Sequence, residues 1–156
     1  MRKFLAAMAA MAVIVGVAVM PVAVSLAQDA NMVAYDKRSK TMKSMGEAMG
    51  VLGKVAKGEA PYSPDTVKAA ETVSAIAKDV AGLFPAGSAV GESRAKPNIW
   101  TSWPDFQNKA KALSEPADKL VPAAKTGNKD EIGKALGAAG GACKACHDDY
   151  RVPAKT

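Results

Sequence analysis

The sequence has little of several residue types, and each shortage excludes a class of protein. Histidine occurs once and cysteine twice in 156 residues, so a structural zinc site lacks the four ligands that it needs. Phe, Trp and Tyr together make up 5% of the chain, and its lysines are spread out rather than clustered. Nothing in this composition therefore predicts a nucleic-acid partner.

The first 27 residues have the three parts of a secretory signal peptide. Met1–Lys3 is positively charged, residues 4–20 contain no charged side chain, and Ser25-Leu26-Ala27 matches the small-x-small cleavage pattern. We therefore predict cleavage after Ala27, a mature domain of residues 28–156 and a periplasmic location. The alternative is an uncleaved membrane anchor, although Pro21 shortens the apolar run below the usual length of a membrane span.

The mature segment predicts an all-α fold, because its apolar positions recur every three or four residues and no strand-like alternation occurs. The first helix is predicted from about Asn31 to Lys57. Ser63 is placed to cap the second helix, and Pro85 is predicted to end it.

The second half of the chain predicts two further helices after a long connection at residues 85–99. The third opens at Ser102, and Pro116 and Pro122 are expected to kink or break it. Asn128 is placed to cap the fourth, whose apolar stripe continues almost to the C-terminus. Four amphipathic helices joined in this way predict a four-helix bundle.

The last predicted helix contains Cys143-Lys144-Ala145-Cys146-His147, which matches the C-x-x-C-H sequence of covalent haem attachment. Two cysteines at this spacing lie about one helical turn apart, so both thiols can add to the vinyl groups of one haem. His147 is then placed to bind the iron as an axial ligand. A catalytic disulfide is the alternative, but it calls for a thioredoxin-like strand before the motif. We therefore predict one covalent haem c.

The other axial position of the iron must be filled from upstream or left open, because no methionine and no second histidine follows His147. Met42, Met45 and Met49 share the inward face of the first predicted helix, which makes them the expected opposite wall of the haem pocket. Their alternative role is to fill an irregular core.

Arg38 lies on the same face of that helix, where its charge interrupts an apolar stripe. A buried charge needs a partner, and a haem carboxylate can pair with a guanidinium through two hydrogen bonds. The alternative is an arginine exposed on the first turn of the helix.

The stretch Cys143–Arg151 resembles the C-terminal signature of the class II c-type cytochromes, the family of cytochrome c′. Residues 38–42, residues 57–62 and Asn98-Ile99-Trp100 are also similar to segments of that family. The resemblance implies an antiparallel four-helix bundle with haem near one end, and a possible homodimer through the first two helices. It further implies that Arg38 binds a haem propionate and that Met42 lies on the distal side of the iron.

The methionine-rich first helix and Leu83-Phe84-Pro85 look like the low-spin branch of this family, in which a methionine binds iron. We therefore expect a single-haem electron carrier with Met42 as an iron ligand and with redox partners that the sequence does not identify. The alternative is a five-coordinate haem protein that binds nitric oxide or carbon monoxide. No catalytic acid, base or nucleophile is assembled, so we predict no enzymatic activity.

Overall fold

The computed structural model describes residues 21–153 of the chain. Within this range a short 3-10 turn (Ala81–Leu83) and six α-helices follow one another, and no strand is present apart from an isolated bridge. The helices are α1 (Pro21–Ala56), α2 (Pro64–Ala77), α3 (Asn98–Thr101), α4 (Trp103–Ala112), α5 (Ser114–Thr126) and α6 (Lys129–Tyr150).

Four of these helices form the predicted antiparallel bundle. α1 packs against α2 and α6, and α5 packs against the same two helices, so each has two neighbours in a closed ring. α1 and α6 run in opposite directions, because Gly53 faces Leu136 whereas Ala56 faces Gly133. None of the described helices combines the length and the apolar character needed to cross a membrane.

The described part of α1 extends back to Pro21, well before the predicted start at Asn31. No residue between Pro21 and Asn31 breaks a helix. The helix ends before Gly58, which has a φ of 75° and closes the turn as predicted. The predicted cleavage point after Ala27 lies within α1, while residues 1–20 lie outside the described part of the chain. The signal peptide therefore stays a prediction.

α2 starts where the sequence predicts but ends earlier. The backbone N–H of Ser63 donates to Thr66 Oγ1 at 3.2 Å, which closes its first turn. The prediction that α2 continues to Pro85 is wrong, because α2 ends at Ala77. Near this end the carboxylate of Asp79 accepts a hydrogen bond from the Gly82 N–H at 3.0 Å, and such local bonds compete with helical pairing.

The predicted third helix is broken into α4 and α5, as its prolines indicate. Pro116 has no N–H to donate to the carbonyl of Ala112, and the helical pattern is interrupted between the two residues, at Leu113. Pro122 lies inside α5 without ending it. The short helix α3 was not predicted. Its first two residues belong to the expected connection, and the other two precede the predicted start of the third helix at Ser102.

α6 starts at the predicted cap and carries the cysteine motif. The side chain of Asn128 accepts hydrogen bonds from the N–H groups of Asp130 and Glu131, at 2.9 and 3.2 Å. After α6 ends, the chain pairs with the segment that precedes α3. The Lys96 N–H donates to the Tyr150 carbonyl at 3.0 Å, and the Val152 N–H donates to the Arg94 carbonyl at 2.8 Å.

Candidate functional site

A cavity of about 660 Å³ opens between the middle of α1 and the C-terminal turns of α6. Its remaining walls come from α4 and from the segment between α2 and α3. This volume lies within the range of pockets that hold small molecules and cofactors, roughly 300–1,000 Å³. The lining is largely apolar and includes the side chains of Met42, Met45, Met49, Phe84, Ile99, Phe106, Leu113 and Tyr150.

All the residues predicted for the haem site lie around this one cavity. They come from two helices at opposite ends of the sequence, α1 and α6, which pack side by side. The structure therefore brings together residues that the sequence separates by about a hundred positions. The five are Arg38, Met42, Cys143, Cys146 and His147.

Cys143 and Cys146 are half-buried on α6 and form no disulfide. Burial raises the pKa of both thiols, which favours their neutral form. Partial burial lowers the pKa of His147, and the positive charge of Arg94 lowers it further. The neutral imidazole that results is the form that binds metals.

These residues fit a covalently attached haem. The two thiols lie one helical turn apart on the cavity wall, with a histidine directly after them in the same helix. The apolar lining suits the faces of a porphyrin, and the arginines at the cavity offer partners for carboxylates. Cys143 and Cys146 would hold the bound group, and His147 would be available to its iron.

Arg38 is 5% exposed, so the alternative of a surface arginine is wrong. Its guanidinium donates to the Leu83 carbonyl at 3.2 Å, to Ser88 Oγ at 2.8 Å and to the Ser88 carbonyl at 2.8 Å. It also donates to Ser93 Oγ at 3.1 Å and lies 4.8 Å from the ring centre of Phe84. Arg38 therefore attaches α1 to the loop of residues 84–97.

Three of the four methionines of α1 line the cavity, and they differ in burial. Met45 is buried, whereas Met42 and Met49 are half-buried, and all three line the cavity while packing against the main core. Met42 lies one helical turn after Arg38 on the same face of α1. Met42 and His147 thus line the same cavity from two different helices.

Sequence reasoning missed two features of the site. Arg94 lines the cavity from the loop of residues 84–97, which has no periodicity that would indicate an inward position. A group of aromatic rings closes the cavity floor, where Phe106 packs against Phe84 and Tyr150 with ring centres 4.8 and 5.2 Å apart. Only the fold brings these rings together, because they come from three separate segments.

Comparison with known proteins identifies the family. The family model for cytochrome c′ matches residues 33–151. Cytochrome c-556 of Agrobacterium tumefaciens (strain B2A) is 42% identical over 118 residues, which are 75% of this chain and 95% of the relative. The structure of cytochrome c prime from Shewanella frigidimarina has a TM-score of 0.72 at 30% identity, covering 79% of this chain and 97% of that chain.

A further solved structure is a nitric oxide complex of a mutant of cytochrome c prime from Alcaligenes xylosoxidans. It has a TM-score of 0.70 at 31% identity and covers 79% of this chain and 97% of that chain. A four-helix bundle with a C-x-x-C-H motif on its last helix defines a c-type cytochrome. Within that class, this chain belongs to the cytochrome c′ family. Its cofactor is covalent haem c, and the family's role is electron transfer or gas binding.

Proposed function

We propose that the protein is a periplasmic electron carrier with a single haem in which both axial positions of the iron are filled. In this proposal Cys143 and Cys146 hold the haem, and His147 and Met42 bind the iron from opposite sides. The bound haem supplies one-electron redox chemistry. The residues of the chain attach it, exclude water from it and set its potential.

The position of Met42 supports this function more than any other single observation. Its side chain is half-buried and lines the cavity from α1, while His147 lines the same cavity from α6. A thioether in this place is a suitable neutral ligand, and it raises the reduction potential of a haem that also has a histidine ligand. Arg38, one turn earlier, fixes this part of α1 to the neighbouring loop.

The apolar walls of the cavity favour the same role. Phe84, Phe106 and Leu113 contribute apolar side chains to the cavity lining. A low-polarity environment disfavours the extra positive charge of ferric haem, and this raises the potential further.

Gas binding is the second candidate, and one observation favours it. A relative of the same fold is known as a nitric oxide complex. If Met42 does not reach the iron, its side chain and those of Met45 and Met49 leave a tight apolar pocket that suits small diatomic molecules. A homodimer and the redox partner proteins stay predictions under either function.

Absorption spectra of the purified ferric and ferrous haem protein distinguish the two functions. With Met42 bound, the ferric protein is low-spin and has a long-wavelength charge-transfer band from sulfur to iron, and the ferrous protein binds carbon monoxide poorly. Met42→Ala abolishes the band and opens the iron to carbon monoxide. Met49→Ala, which changes another methionine of the same wall, should leave the band in place.

The proposal is wrong about Met42 as an iron ligand if the wild-type protein is high-spin, lacks this band and binds carbon monoxide readily. The gas-binding function would then take its place. If both methionine variants lost the band equally, the sulfur ligand would be lost through disruption of the wall and not through Met42 itself.

A further inference from the structure

Five cations line the cavity, and a haem brings two propionate carboxylates to it. The sequence and the family resemblance single out Arg38 as the partner of a propionate. The structure allows each cation to be compared by the hydrogen bonds that it already makes. The five are Arg38, Lys43, Arg94, Lys109 and Arg151, and one carboxylate, that of Glu92, lies among them.

Arg38 already uses its terminal nitrogens. One of them donates to Leu83 O and Ser88 Oγ, and the other donates to Ser88 O and Ser93 Oγ. A guanidinium has five N–H donors, of which four are on these two nitrogens. Paired bonds from these nitrogens to a carboxylate would therefore require Arg38 to give up loop contacts that are buried.

The lysines are also engaged. Lys109 pairs with Asp149 at 2.8 Å, and this contact raises the pKa of Lys109. Lys43 lines the cavity, but its side chain is 79% exposed and 4.0 Å from Glu47, so water can solvate its charge. Arg151 is exposed at the end of α6, so water can solvate its charge.

Arg94 differs from the other four. It is only half-exposed, and within residues 21–153 its side chain makes no hydrogen bond or ion pair. Its backbone is nevertheless fixed, because its carbonyl accepts the Val152 N–H at 2.8 Å, next to the bridge between Ala95 and Arg151. A partly desolvated guanidinium held in this way favours an anionic partner.

We propose that Arg94 binds a haem propionate, and that Arg38 holds the loop that positions Arg94. Arg38 is thus a positioning residue, and Arg94 is a cofactor-binding residue. The inference rests on haem binding and is independent of whether the proposed electron carrier or the gas-binding alternative is correct. The loop from Leu83 to Arg94 is the physical link between the two arginines.

The experiment measures the midpoint potential of the haem protein as a function of pH, in wild type and in Arg94→Gln, Arg94→Lys and Lys43→Gln. The pH runs from about 4 to about 10, roughly three units on each side of neutrality. Ionisation of a propionate gives a bend in this curve. Loss of an adjacent opposite charge raises a carboxyl pKa by about 1 unit or more, so Arg94→Gln moves the bend upward by about that amount. Arg94→Lys keeps the charge and should move it less.

Lys43→Gln removes one charge from the same cavity without removing the proposed contact, so its bend should remain close to that of wild type. Amide hydrogen exchange in residues 84–93 should be faster in Arg38→Gln and unchanged in Arg94→Gln. The proposal is overturned if Arg94→Gln and wild type share one curve, or if Lys43→Gln moves the bend as far. Loss of covalent haem, scored separately by haem stain, would contradict the haem site itself.

Discussion

The two ends of the bundle are built differently. At one end, which we call the closed end, branched aliphatic side chains from all four helices are 0–2% exposed: Leu52, Val55, Val73, Leu120 and Ile132. At the other, the cavity end, the corresponding positions are methionines and cysteines that are mostly half-buried around a cavity. The closed end supplies packing energy, while the cavity end gives up packing to keep space for haem.

The helix breaks explain where the space arises. α2 ends at Ala77, and the helix that should face it is interrupted at Leu113. Both interruptions lie at the cavity end, so only α1 and α6 continue there as unbroken walls. The loop of residues 84–97 and the short helices then close the sides.

The largest expected effect is at the cavity end. Changing both Cys143 and Cys146 to alanine removes both thioether bonds, so no haem should remain after denaturation. The measurement is haem stain on a denaturing gel beside total protein stain. Leu52→Ala, from the closed end, should retain full haem stain because it touches no part of the attachment site.

Haem stain retained in the double cysteine variant would contradict covalent attachment through this motif. Loss of stain in Leu52→Ala would instead contradict the proposed difference between the two ends of the bundle, since it would show that haem attachment depends on packing at the closed end. His147→Ala provides an intermediate case, in which the stain is kept but the iron spectrum is altered.

A smaller effect is expected for the free energy of unfolding. Here a substitution at the closed end should have a larger effect than one at the cavity end. Leu52→Ala leaves a void in a fully packed region and should lower the free energy of unfolding by about 2–5 kcal/mol. Met49→Ala shortens a half-buried side chain beside an existing cavity, so a loss of about 1 kcal/mol is expected. Denaturant unfolding of the haem protein measures both. Equal losses would mean that the cavity end is packed as tightly as the closed end.

Most of the fold was predictable, because it depends on local signals. Helical periodicity, the Asn128 cap and the prolines of the third helix are visible in any window of a few residues. The early end of α2 was not predictable in this way. Val80 and Leu83 keep helical spacing and are buried, but they reach the core through a 3-10 turn. Periodicity alone cannot distinguish burial in a continuous α-helix from burial through a 3-10 turn.

The site was predictable where one motif contains it and unpredictable where the fold assembles it. The C-x-x-C-H sequence specifies its chemistry locally, and an arginine in an apolar stripe indicates a buried charge. The partners of Arg38 are four groups 45 to 55 residues away. One is the Leu83 carbonyl at the end of the 3-10 turn, and the other three lie in a loop without periodicity. Neither these contacts nor the inward position of Arg94 has a signal in the surrounding sequence.

The cavity end also contains a hydrogen-bonded titratable pair, in which Tyr150 is buried and Asp105 is exposed. The hydroxyl of Tyr150 donates to Asp105 Oδ2 at 2.6 Å, and Tyr150 is 5% exposed. The hydrogen bond to this carboxylate, with burial, raises the pKa of Tyr150 to about 12. The ordinary value is about 10. Since the folded state keeps the proton more tightly than the unfolded state, the stabilisation is complete below about pH 10 and is lost between about pH 10 and pH 12.

The smallest expected effect follows from this pair of side chains. It is a change in the slope of the unfolding free energy against pH. Between about pH 10 and pH 12 the unfolding free energy of wild type should fall more steeply than that of Tyr150→Phe, because only wild type loses this linkage. Below pH 9, roughly one unit under the ordinary tyrosine pKa, the difference between the two should be constant. Leu52→Ala should shift the whole curve downward at every pH without changing its slope, since no titratable group takes part in packing at the closed end. Denaturant unfolding of the three proteins at a series of pH values measures these curves. If wild type and Tyr150→Phe have parallel curves, the hydrogen bond to Asp105 is not coupled to stability, and the cavity end has no titratable contribution from Tyr150.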